Sequence, residues 1–512
     1  MRDVDVVKNN AGTFSWINAK KGRQVIKTEY LLDGSTNDTT TIKKILKESL
    51  PIHESNVTEI DRLFSIFYNN QEIETKVKTQ RGDINNKIGV PTGYIISRAI
   101  NGYCFGSPIK FVAKNTEKQK SVEELSEFLE SANNHKAIVT STYFSSICGV
   151  GYKLVLPRLA DDIDDTPFKI SGNLFPQNCF VVKSNTIMPE DVLGVIISSY
   201  REDGKDIECY ECYSKYYQYR FIKDSNDENG FRSLGFKFND QQIDGFPLMA
   251  KQIPLIEVPR NPFRIGDWEL ITDLFHAKNL LLSNRQDDIQ QVVDYLLVLT
   301  NCTFSSEEEK NEILTSRLLQ LSVSNVGAKA SVDILKNPLD QNGVQLMQNY
   351  IDNLIEECAG IPNRAERSGS GQDTGRAVIF KSGFRDLENN AGLIVPEMED
   401  AEKKSIKLCL SYCKNLNNDN LMKDLKLRNI TIKFSRTLTD DIVGSANAYS
   451  VLVNAGMDEI DALVASKIVD DPAEVGERAK KRAKEKLEEE QKRNQVTQIE
   501  KQENKGGVTN GD

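Results

Sequence analysis

Three groups of residues in this chain stand at spacings that invite a chemical reading. Cys209-Tyr210-Glu211-Cys212 is a CxxC pair, half of a tetrahedral thiolate site, yet no second CxxC or HxxxH supplies the two further ligands a structural zinc needs. Gly369-Ser370-Gly371-Gln372-Asp373-Thr374-Gly375-Arg376 has the composition of a phosphate loop, but it lacks the GxxxxGK spacing and follows a helical pattern rather than a strand. His53, His135 and His276 are each isolated from Cys, Asp or Glu at ligand or triad spacing. No catalytic residue, metal or cofactor is assigned, and the chain is not expected to be an enzyme.

What remains is one-sided charge. No Lys or Arg lies between Lys336 and Arg364, while Asp340, Asp352, Glu356 and Glu357 do. A Gly/Ser loop then carries Arg364, Arg367 and Arg376, and cations on such a backbone can make weak, exchangeable phosphate contacts that read no sequence. Taken without context, that loop is a solvated linker. Ser306-Glu307-Glu308-Glu309 opens a short helix as a capping box; its acids are candidates for docking a partner, against the plainer reading of a solvated helix start.

Two apolar-striped helices must position these charges. The first is expected over about 266 to 297, capped by Asp267, with Leu270, Ile271, Leu274, Leu281, Leu282, Ile289, Val292, Val293 and Leu296 on one stripe. At 1.5 Å per residue such a rod spans roughly 45 Å, longer than one ordinary core needs. Its middle is polar, since Ser283 to Asp288 carries no aliphatic residue. The second is expected over 340 to 359, delimited by Pro338 and Gly360-Ile361-Pro362, with Val344, Leu346, Met347, Tyr350, Ile351, Leu354, Ile355 and Cys358 apolar. Between them a small α/β insert, 298 to 336, opens with a strand and closes with strands near 317 to 323 and 331 to 335.

Upstream, residues 1 to 50 read as an arm, followed by amphipathic helices at 40 to 49 and 55 to 70. An α/β alternation from about 86 to 260 reads as one mixed domain: helices at 91 to 101 and 121 to 131, and strands at 109 to 112, 151 to 156, 178 to 183, 193 to 200, 207 to 222 and 253 to 258. Downstream, helix resumes over 375 to 415 with an expected break near Gly392 and Pro396. A strand at 429 to 434, a helical segment at 441 to 490 and a disordered polar tail at 491 to 512 complete the pattern.

Composition bounds the function. A chain of 512 residues is long enough for three or four domains. It has no run of eighteen apolar residues, and MRDVDVVKNN lacks a signal-peptide profile, so neither a membrane span nor secretion is expected. Nine scattered cysteines point to reduced thiols. The net charge of −10 disfavours a tight, free-standing nucleic-acid binder.

An ordered set of pieces resembles the phage portal proteins of the SPP1-like type, from about residue 60 to 480. The pieces are Tyr68-Asn69-Asn70-Gln71-Glu72-Ile73, Asn85-Asn86-Lys87-Ile88, and Gly102-Tyr103-Cys104-Phe105-Gly106-Ser107-Pro108-Ile109, similar to the family's GY-x-FG-x-PI. Then come Ile253-Pro254-Leu255-Ile256-Glu257-Val258-Pro259-Arg260-Asn261, Leu282-Ser283-Asn284-Arg285-Gln286-Asp287-Asp288 and Tyr295-Leu296-Leu297-Val298. The family's Asn-Asn after the Pro-containing strand is Arg260-Asn261 here, and the loop bears arginines.

The resemblance implies an α+β multidomain ring subunit. Its parts would be an N-terminal arm (1–50), an α/β wing (51–262), stem helix 1 (263–297), a small α/β clip (298–338), stem helix 2 (339–360), a tunnel loop (361–376), a kinked tunnel helix (377–415), a mainly helical crown (416–490) and a disordered tail (491–512). It implies a ring, commonly dodecameric, at one capsid vertex of the virion, assembled in the host cytoplasm. Such a ring helps start procapsid assembly with major capsid and scaffolding proteins, docks terminase and later head-completion proteins at the clip, and passes double-stranded DNA in packaging and ejection. ATP hydrolysis belongs to the terminase. Asp352, Glu356 and Glu357 would then face the DNA together with Arg364, Arg367 and Arg376, and Glu307, Glu308 and Glu309 would meet the docked partner. Two alternatives stay open: a cytosolic helical scaffold that binds proteins and never meets DNA, and, more distantly, a zinc-dependent nucleic-acid enzyme using Cys209 and Cys212.

Overall fold

Alternation along a single strand shows how the body is built. In the computed structural model of the chain, Cys179 and Val181 face one apolar cluster while Phe180 and Val182 face another, as period-two side chains do in a strand covered on both faces. The structure describes residues 7–8, 14–15, 21–32, 39–78, 84–158, 166–202, 204–238, 241–293, 296–300, 331–335, 341–362, 384–416, 420–435 and 442–466, together with 475, 482 and 484.

The strand Cys179–Ser184 belongs to a sheet whose order is Phe231–Ser233, Tyr217–Lys223, Lys205–Tyr213, Asp191–Glu202, Cys179–Ser184, Ile26–Thr28, with Gly245–Pro247 also paired to Tyr217–Lys223. Pairing is antiparallel except at Ile26–Thr28, which lies parallel to Cys179–Ser184. The run expected as one strand over 207 to 222 is a hairpin, because the chain turns at Ser214, whose Oγ accepts from the Tyr216 and Tyr217 N–H groups. A second sheet, Leu255–Pro259, Val150–Pro157 and Phe168–Ser171, is antiparallel. The strand expected at 429 to 434 is Ile430–Lys433, and it pairs with Lys110–Ala113 far upstream.

Helix α1, Thr39–Phe67, corrects the sequence reading, which placed two helices and an arm ending at residue 50. It runs through Pro51 without a break. An interior proline costs about 3 kcal/mol, but both halves of α1 are anchored. Ile42, Ile45, Leu46 and Leu50 pack on one face of the large sheet, and Ile60, Leu63 and Phe64 join the other cluster. At about 1.5–3 kcal/mol per buried aliphatic or aromatic side chain, the packing outweighs the lost hydrogen bond.

His53 lies on α1 with its Nε2 2.7 Å from the Gln177 carbonyl and its ring 4.5 Å from that of Phe180. Burial lowers its pKa to about 4, against a weaker opposing effect of that carbonyl. Because the unfolded chain (about 6.5) takes up the proton before the folded one does, the folded state is fully favoured above pH 6.5 and loses stability as pH falls toward 4. The expected loss at pH 5 is about 2 kcal/mol. His53→Gln should flatten that dependence, read as melting temperature at pH 7.5 and 5.0; an unchanged slope would show that His53 is not its source.

Helices α2 (Thr92–Phe105), α3 (Gln119–Ser131) and α4 (Asn134–Cys148) pack beside the second sheet. Then come α5 (Thr272–Val293), α6 (Gln341–Ala359), α7 (Phe384–Leu416), α8 (Asn420–Lys423), α9 (Ile442–Asn454) and α10 (Glu459–Ser466). The break expected near Gly392 and Pro396 does not occur. α7 continues through both because Leu387, Ala391, Ile394, Met398 and Ala401 are buried on either side of them. Between α5 and α6, Leu296–Thr300 pairs antiparallel with Ser331–Leu335, the opening and closing strands expected for the insert. Its interior, with Glu307, Glu308 and Glu309, lies outside the described residues.

Candidate functional site

The polar middle of α5 has a partner. Asn279, Ser283 and Asp287 stand four residues apart, hence on one face, and all three are buried. Their side chains accept from alternate backbone N–H groups of a segment outside any sheet: Val90 to Asn279 Oδ1 at 3.0 Å, Ile88 to Ser283 Oγ at 2.9 Å and Asn86 to Asp287 Oδ1 at 2.7 Å. Four helical residues rise about 6.0 Å, and two strand residues about 6.6 Å, so three rungs fit with little mismatch. The helix thereby acts as a neighbouring strand would.

Asp287 anchors the lower end of this ladder. It also accepts from Asn86 Nδ2 at 2.8 Å and Lys76 Nζ at 2.8 Å, with Lys78 Nζ at 3.5 Å. Burial pushes its carboxyl up, and the hydrogen bonds from Lys76 and Asn86 more than reverse this, holding it at about 2. At the upper end, Asn279 donates to Gln71 Oε1, and Gln71 donates to the Val90 carbonyl at 2.7 Å.

α5 is shorter than the rod expected over 266 to 297. It begins at Thr272, after a 3-10 turn at Glu269–Ile271, and its 22 residues span roughly 33 Å. Asp267 does not cap it. The Arg260 guanidinium holds that carboxylate through Nε at 2.7 Å and Nη2 at 2.6 Å, Ser146 Oγ donates to it at 2.6 Å, and Arg260 Nη1 also donates to Asn101 at 2.9 Å. Buried Arg260 is thus a structural ion-pair partner, a role its position after a Pro-containing strand did not announce. The 102 to 109 stretch has a similar use: Tyr103 Oη donates to Glu388 on α7 at 2.6 Å, and Phe105 packs edge-on against Phe434.

α6 was legible almost to the residue. Ile351, Ile355 and Ala359 are buried, and Gly360, at φ +61°, ends the helix in a Schellman arrangement with Gly360 N–H to Glu357 O at 3.1 Å and Ile361 N–H to Glu356 O at 3.0 Å. It packs along α5, with Lys278 Nζ 2.7 Å from Asp352 and Arg285 Nη1 2.8 and 3.0 Å from Gln345 and Gln348. The far side of α6 is apolar and bare: Leu346, Met347 and Tyr350 are 70, 51 and 58% exposed. Half-buried Glu356 and exposed Glu357 share this helix with Asp352. Arg364, Arg367 and Arg376 lie outside the described residues, so only the acids of the expected set are brought together here.

The CxxC pair does not form a ligand set. Cys209 and Cys212 lie three apart on Lys205–Tyr213, an odd offset that sends them to opposite faces of the sheet. Cys212 joins Tyr210 in one cluster, whereas Tyr213 lies in the other. Burial raises both thiols, which disfavours the thiolate a metal would need. No group of three or more His, Cys, Asp or Glu among the described residues could hold a metal ion. No helix among the described residues is long and apolar enough to cross a membrane.

The features missed from sequence are pairings across long separations. Lys153 and Glu402, both fully buried, form an ion pair joining Val150–Pro157 to α7, with Asn134 Oδ1 2.6 Å from the same ammonium. Glu269 likewise takes Arg23 at 2.7 Å and the Gly22 N–H at 2.9 Å, tying the N-terminal segment to the foot of α5. A lysine in an otherwise apolar strand was the available signal for the first pair; its partner lies 249 residues away.

Comparison with known proteins gives this mixed helix-and-sheet architecture its place. No curated protein matches the chain. The sequence does match the profile of the family described as phage portal protein, SPP1 Gp6-like, over residues 46–495, nearly its whole length. Taking in α5, α6 and most of the described residues, that match establishes that the chain belongs to the SPP1 Gp6-like phage portal protein family.

Proposed function

We propose that this chain forms a closed ring at one capsid vertex, through which double-stranded DNA is packaged and ejected. The observation that carries the reading is the α5–α6 pair. One side of α5 is sealed by residues 86–90, the other by α6, and the outer stripe of α6 has nothing among the described residues to cover it. An apolar stripe on a rod finds its cover in a second copy, and a head-to-tail contact closes into a ring when the rotation per copy divides a full turn. In this reading α5 and α6 are the stem, 298–338 the clip that docks terminase and head-completion proteins, 361–376 the tunnel loop, and 416–490 the crown. The ring, dodecameric in this reading, also starts procapsid assembly with major capsid and scaffolding proteins. The family is structural rather than enzymatic, and the ATPase would be the terminase.

Charge supports passage rather than capture. A net −10 repeated about an axis makes a strongly acidic wall, which repels phosphates spaced about 1.7 Å along the duplex axis. Asp352 already holds Lys278, and Glu357 shares the stripe of Leu346 and Tyr350. Arg364, Arg367 and Arg376 would brace the DNA weakly from the loop.

Deleting residues 364–374 should leave ring assembly intact, seen by negative-stain microscopy, and reduce DNA packaging by terminase at least tenfold. Unchanged packaging would remove the loop's role and favour a protein-binding helical scaffold.

A further inference from the structure

We infer that the bare stripe of α6 docks on the 84–98 flank of the next copy, with Tyr350 and Leu346 against Ile88 and Glu357 against Arg98. This rests on the ring reading and names the two surfaces that would meet.

The two flanks lie on opposite sides of α5. Asn279, Ser283 and Asp287 turn toward residues 86–90, whereas Lys278 and Arg285 turn toward α6. With about 100° per residue, those two sets point in nearly opposite directions. The order across the stem is therefore segment, α5, α6, and each outer layer presents a different surface. A head-to-tail contact requires two different surfaces of this kind.

Height along the rod selects the partners. Successive copies in a closed ring are related by rotation without rise, so with the rods set along the axis, patches that meet stand at one level. Arg285 reaches Gln345 and Gln348 and Lys278 reaches Asp352, which sets Leu346 and Tyr350 within the span of residues 278–286 of α5. Ile88, 36% exposed, is bonded to Ser283 within that same span. Toward the other end, α6 finishes against the Glu269–Ile271 turn, and Gly93 lies against Trp268 immediately before that turn. Arg98, exposed one turn beyond Tyr94 and stacked 5.6 Å from its ring, thus stands toward the level of Glu357. From Ile88 to Arg98, and from Leu346 to Glu357, each flank runs from an apolar residue to an exposed charge, with opposite signs. Arg98 has no carboxylate partner among the described residues. The segment can serve as a docking rail because the α5 ladder fixes its backbone from behind.

Two measurements test this on the full-length chain. In a Cys302→Ser, Cys358→Ser background, Ile88→Cys together with Tyr350→Cys should give, on oxidation, a ladder of covalent multimers on a denaturing gel. Either cysteine alone should give none. Separately, Arg98→Glu should lower the fraction of annular particles at least tenfold, and adding Glu357→Arg should restore most of it. Annular particles that persist in Arg98→Glu, with no ladder in the double-cysteine protein, would overturn the pairing and leave the ring reading standing. Absence of annular particles in the unsubstituted protein would overturn both.

Discussion

Glu402→Leu is expected to lower the unfolding free energy of the unassembled subunit by about 3–5 kcal/mol. The carboxylate and the Lys153 ammonium are both fully buried, and removing one partner strands a charge that, among the described residues, only Asn134 Oδ1, at 2.6 Å, still accepts from. Lys153→Met with Glu402→Leu should cost clearly less than either single change, because no buried charge then remains uncompensated. Urea unfolding with a double-mutant cycle reads this directly. If the double variant loses as much as the sum of the singles, the pair is not acting as a unit. The pair links the second sheet to α7, so a cost concentrated here would also show that α7 is held to the body by more than its apolar face.

Asp287→Ala is expected to cost about 3 kcal/mol and to release residues 76–91 from α5. The substitution deprives the Lys76 ammonium, the Asn86 N–H and the Asn86 amide of one shared acceptor. Ser283→Ala and Asn279→Ala each remove a single rung and should cost roughly 1 kcal/mol or somewhat more. Hydrogen exchange distinguishes local release from general weakening: protection at Asn86 and Ile88 should fall at least tenfold in Asp287→Ala while that of the large sheet is retained. Equal loss throughout would mean that the ladder is not an independent clamp. Because the carboxyl is held at about 2, against about 3.8 in the unfolded chain, this contribution is complete above pH 4 and is lost as pH falls toward 2.

These two sites show where sequence reading reached its limit. α6 was legible because its signals are local: an apolar stripe that includes Ile351 and Ile355, and a glycine at 360 that adopts φ +61°. The strands at 150–157 and 179–184 were legible for the same reason, as short apolar runs. α4 was not, since Ala137, Ser141, Thr142, Ser145 and Ser146 are buried on several sides and leave no polar face to mark a period. The unbroken course of α1 through Pro51 depends on two cores that a local rule for proline does not see. The polar middle of α5 was evident in composition, but its meaning required residues 86–90, about 190 to 200 positions upstream. Among the candidate channel acids, residue type was legible and pairing was not: Asp352 is half-buried against Lys278 of the neighbouring helix.

The most direct test of the central claim is a three-dimensional electron-microscopy reconstruction of the assembled protein. The account predicts a ring in which α5 and α6 of every copy stand around a central hole, with Leu346, Met347 and Tyr350 covered by the adjacent copy. Rods enclosed in a self-contained globule, or an assembly with no central hole, would contradict it.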